Sequence, residues 1–126
     1  MINKLQTIID ILTARIKNNF NNVVILNETI TSSNFLVKFV VIDFHFTVKL
    51  SIHHLDTPWQ LTTFVEKSGK ILLPVEQYLD KNYNYELKPK YEVTPNDLEN
   101  KNGEIVKLIN LFINDLSDYL KALNNP

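Results

Sequence analysis

The sequence predicts an α+β domain: an antiparallel sheet of about four strands, with one face covered by N-terminal and C-terminal amphipathic helices. Three patterns carry this expectation. Apolar residues recur at helical spacing at both ends of the chain. Apolar and polar residues alternate in period two through the middle. The loops between the central runs are short enough for antiparallel neighbours and too short for parallel crossovers.

The first helix is predicted over residues 2–20. Ile2, Leu5, Ile9, Leu12, Ile16 and Phe20 follow one another at three- and four-residue steps, and Ile8 and Ile11 widen the same face. The asparagines of NNFNN (18–22) end it, because their side chains compete for backbone hydrogen bonds. VVILNETI (23–30) is β-branched and reads as a strand, and TSSN (31–34) as a turn. Phe35, Val37, Phe39 and Val41 then alternate in period two. From Phe44 the apolar set moves to Phe44, Phe46, Val48, Leu50 and Ile52, with His45, Thr47, Lys49, Ser51 and His53 on the other face. This shift at Ile42 and Asp43 predicts a β-bulge within one long strand rather than a turn, since no glycine, proline or asparagine marks a reversal.

HHLDTP (53–58) carries the next turn signal, and WQLTTFV (59–65) the next strand, with Trp59, Leu61 and Val65 on one side. KSGK (67–70) reads as a hairpin loop and ILL (71–73) as a brief strand. Pro74 suits the first turn of a short helix, VEQYLDKN. YNYELKPKYEV (83–93) fits either an irregular tyrosine-rich crossing segment or an edge strand, and Pro89 argues against a central one. Thr94, Pro95 and Asp97 form a helix start, and the helix runs to about Leu123. Ile105, Ile109, Phe112, Leu116, Tyr119, Leu120 and Leu123 form its apolar stripe. Its acidic residues, Asp97, Glu99, Glu104, Asp115 and Asp118, read as a solvated face. Residues 1–126 read as one domain, with no repeat or linker.

Composition narrows the function classes. A chain of 126 residues with 44% hydrophobic content can build a core without a metal or disulfide. It has no cysteine, which removes thiolate nucleophiles, cysteine–zinc sites and iron–sulfur clusters. Neither a secretory signal nor an apolar run of membrane-spanning length is visible, which predicts a cytoplasmic protein without a membrane partner. The net charge is −1 and Arg15 is the single arginine, which counts against a nucleic-acid partner. The two glycines, Gly69 and Gly103, are 34 positions apart, so no glycine cradle for a phosphate exists. The abundance of asparagine, lysine and isoleucine follows AT-rich codons and suggests a low-GC bacterium or phage as source.

The densest cluster of reactive side chains is HHLDTPWQL (53–61). His53 and His54 are neighbours and diverge on a strand. His45 shares a face with His53 but lies roughly 26 Å away along a straight strand. Either histidine with Asp56 makes two ligands, fewer than the three a catalytic zinc usually holds. No metal site and no cofactor is therefore predicted. Ser32 and Ser33 lack the strand–elbow–helix setting of a hydrolase nucleophile. A small metal-dependent or hydrolase-like enzyme using His53, His54 and Asp56 stands as the alternative.

The preferred expectation is a non-catalytic module that binds another protein and masks it sterically, as inhibitors, immunity proteins, anti-defence proteins and dedicated chaperones do. Tyr78, Tyr83, Tyr85 and Tyr91 supply large contact area at low entropic cost. The polar sheet face at His45, Lys49 and His53 extends it. A homodimer is the remaining partner option.

Overall fold

The computed structural model describes residues 2–31, 34–51, 59–85 and 104–124. In chain order these form α1 (Ile2–Asn19), β1 (Val24–Ile30), β2 (Asn34–Val41), β3 (Phe44–Ser51), β4 (Trp59–Lys67), β5 (Lys70–Leu72), α2 (Val75–Tyr78), β6 (Tyr83–Tyr85) and α3 (Glu104–Asn124). The α+β class is as the sequence predicts. The sheet is antiparallel and runs β1-β2-β3-β4-β5, with β6 also on β4, so there are six strands rather than about four.

One face of the sheet is apolar because the period-two residues of β2, β3 and β4 all point to it. Phe35, Val37, Phe39, Val41, Phe44, Phe46, Val48, Leu50, Leu61 and Val65 are buried there. The helices close over them with Ile8, Ile9, Leu12 and Ile16 from α1 and Ile109, Phe112, Leu116 and Tyr119 from α3. Phe46 sits at the centre of this layer. Its ring stacks on Phe39 at 5.1 Å and meets the edge of Tyr119 at 6.3 Å. Among the described residues no helix is long and apolar enough to cross a membrane.

The predicted bulge at Ile42 and Asp43 is a turn instead. Val41 pairs with Phe44, so β2 and β3 are a hairpin with a two-residue loop. Ile42 takes a φ of 57° to make it. Tight hairpins need this left-handed geometry, normally supplied by glycine or asparagine. An isoleucine conceals the turn from sequence reading and adopts it under strain. Its side chain is 53% exposed, so little burial compensates. Ile42→Asn should therefore raise stability by roughly 0.5–1 kcal/mol, read from the denaturation midpoint. The bulge in this sheet lies in β1, between Ile25 and Asn27. That bulge, and Glu28 opposite Val37 on the inward face, blunt the free edge of β1 against strand addition.

The other edge is shared. β5 pairs with the end of β4 and β6 with its beginning. Between them α2 crosses the gap, and Glu76 takes the place of a strand there. Its carboxylate accepts the Thr63 backbone N–H at 3.1 Å and the Thr63 hydroxyl at 2.7 Å. The same hydroxyl accepts the Val75 N–H at 2.9 Å. The helix predicted over VEQYLDKN stops after four residues, and Asp80 just beyond it has a φ of 52°.

Asp115 is not on a solvated face. It is 5% exposed and accepts the Tyr83 hydroxyl at 2.9 Å and the Lys81 ammonium at 2.8 Å. The helix start at Thr94, Pro95 and Asp97 falls outside the described residues.

Candidate functional site

Residues paired across antiparallel strands share a face. On the face away from the helices, one row crosses five strands: Val24, Val40, His45, Glu66 and Ile71. A second row runs Asn27, Lys38, Thr47 and Phe64, and a third Thr29, Leu36, Lys49 and Thr62. No described element covers these rows. Val24, Phe64 and Ile71 are 55%, 45% and 70% exposed, while Leu36 and Val40 are half-buried. Lys38, His45 and Lys49 stand exposed among them. The surface is thus a slab of apolar groups studded with two ammonium groups, with Glu66 as its carboxylate in these rows.

The largest apolar member of this face is Phe64, which the tyrosine and histidine pattern does not point to. Phe64 was legible by parity: Leu61, Thr63 and Val65 point into the core, so Phe64 points out. His45 and Lys49 lie on this face, as their alternation predicts.

The tyrosines do not join them. Tyr78 is 43% exposed but belongs to the helix layer, where its ring meets Tyr119 edge-on at 5.1 Å. Tyr83 is a core residue, 1% exposed, packed edge-on against Phe112 at 5.3 Å. It pairs with Leu61, whose inward direction it shares, and offers no contact area to a partner. The backbone of Tyr85 pairs with Trp59. Tyr91, His53, His54 and Asp56 lie outside the described residues.

The polar cluster between β4, α2, β6 and α3 holds two carboxylates, Glu76 and Asp115, near Tyr83 and Tyr119. Both carboxylates are occupied by donors from their own chain, and the Tyr119 hydroxyl donates to the Leu73 carbonyl at 2.6 Å. This wiring holds α2 and α3 against the sheet edge and presents no unengaged base to a substrate.

Burial, then the nearby Tyr78 and Glu76, push the Tyr119 hydroxyl up from 10.0 to about 12. Tyr83 is raised further, first by burial and then by Asp115. For both, the folded state binds its proton more tightly than the unfolded chain. Their stabilisation is complete below pH 10 and fades as the pH rises from there towards 12. Melting temperature should hold up to about pH 10 and then fall. Tyrosinate absorbance from these two rings should appear with unfolding.

No protein-family model, no curated protein and no solved structure matches the chain.

Proposed function

We propose that the protein is a non-catalytic binding module that docks another protein on the open face of its sheet and masks that partner sterically. The observation that carries this is the uncovered row from Val24 to Ile71, with Phe64 beside it. Exposed apolar area of this kind, interrupted by charge, is characteristic of docking surfaces. Lys38 and Lys49 outnumber Glu66 on these rows, so the complementary partner is apolar and edged with carboxylates. Phe64 is the natural anchor, since a large aromatic ring yields most when it becomes fully desolvated.

The test is affinity capture from host lysate with three chains: wild type, Phe64→Glu on the sheet face, and Leu111→Glu on α3. Phe64→Glu should lose the captured protein and Leu111→Glu should keep it, with circular dichroism showing both variants folded. Capture retained by Phe64→Glu contradicts the reading. Sedimentation of the purified chain separates a second copy from a different partner.

A further inference from the structure

We infer a separate ligand site in the open hollow of about 370 Å³ where the ends of α1 and α3 meet the β2–β3 turn, and we propose that it takes a carboxylate carried beside an apolar group, as at the C-terminal residue of a peptide. The hollow lies at the Ile42 end of the sheet, and its lining shares no residue with the three outward rows.

The lining sets the ligand's chemistry. Among the described residues of the lining, Lys121 is the one that carries a charge, so the electrostatic preference is for an anion. Four of the ten described lining residues are asparagines, Asn21 and Asn22 among them. Carboxamides both donate and accept, which matches a peptide amide. Phe20, Val41 and Leu120 form an apolar floor. An anion, an amide and an apolar body together describe the end of a peptide chain.

Helix C-termini disfavour anions, so the ends of α1 and α3 must be weighed. Each helix end carries about half an elementary charge, so the two together roughly equal one ammonium group; Lys17 in the last turn of α1 offsets that end, which leaves the Lys121 charge in excess at the end of α3. The end of α1 is also partly capped. Phe20 N–H donates to the Ile16 carbonyl at 3.1 Å, and the Asn19 side-chain amide donates to the Arg15 carbonyl at 2.8 Å.

Ile42 is the second, independent observation. It lines the hollow, is 53% exposed and carries a φ of 57°. The other two-residue hairpin loop, between β4 and β5, uses Ser68 and Gly69 with φ of 52° and 80°. An asparagine-rich chain has an unstrained choice for position 42 and does not use it. Strain of this kind persists where the side chain serves a purpose. Here that purpose is an apolar rim against the ligand's side chain.

The experiment is a ¹H–¹⁵N titration of the whole chain with N-acetyl-leucine and, separately, N-acetyl-leucinamide, which lacks the carboxylate. The acid should give saturable shifts at Asn21, Asn22, Ile42 and Lys121. It should bind roughly fivefold more tightly than the amide, the worth of about one charge contact at 4 Å in water. Lys121→Gln should abolish that preference. Ile42→Asn should weaken both ligands while the fold melts no lower than wild type, which separates lost binding from lost structure. Absence of saturable shifts, equal affinity for acid and amide, or shifts centred on Lys38 and Lys49 overturns the proposal.

Discussion

Replacing Phe46 by alanine is expected to destabilise the protein by about 3–5 kcal/mol. The ring is 1% exposed on β3, which has strands on both sides. It touches the layer from three directions, stacking on Phe39 at 5.1 Å, tilting against Phe44 at 6.5 Å and meeting Tyr119 at 6.3 Å. Strand neighbours cannot close in on the vacated space, because the backbone ladder holds them at a fixed spacing. The cost should therefore lie near the upper part of that range. Urea unfolding monitored by far-ultraviolet dichroism reads it as a lower midpoint at unchanged slope. Phe46→Leu keeps most of the volume and should cost less than half as much. Equal losses for the two variants would mean that shape, not volume, dominates at this position.

Asp115→Ala should cost about 2–3 kcal/mol, chiefly because the Tyr83 hydroxyl is left buried without an acceptor. The Lys81 ion pair adds little, since that side chain is 45% exposed and water replaces its partner. Asp115→Asn keeps an acceptor oxygen and should lose less. Tyr83→Phe removes the stranded donor. The double variant Asp115→Ala with Tyr83→Phe should therefore be more stable than the sum of the single losses implies. Simple additivity in that cycle would show that the 2.9 Å contact between the two side chains carries no coupling.

The elements readable from the sequence are those in which a single periodicity decides burial. The stripe on α1 from Ile8 to Ile16 and the alternation from Phe44 to Leu50 are of this kind, and both form as their spacing predicts. The β2–β3 turn was not readable, because Ile42 replaces the residue types that announce a reversal. Asp115 and Tyr83 were misread for a related reason. Each looks exposed when its own segment is considered alone, and each is buried only because β6 returns to β4 beneath α3. That return depends on α2 occupying the gap at Thr63, a tertiary event with no local pattern. The candidate surface was half legible. His45, Lys49 and Phe64 follow from the alternation within their own strands, whereas Ile71 joins them only once the register of β4 with β5 is known.

The most direct test of the binding account is methyl-resolved NMR of the chain with its captured partner. The account predicts that the perturbed methyls are Val24, Leu36, Val40 and Ile71, on three strands of the uncovered face. Perturbation confined to Leu73 and Leu111, with those four unchanged, would place the partner elsewhere and contradict it.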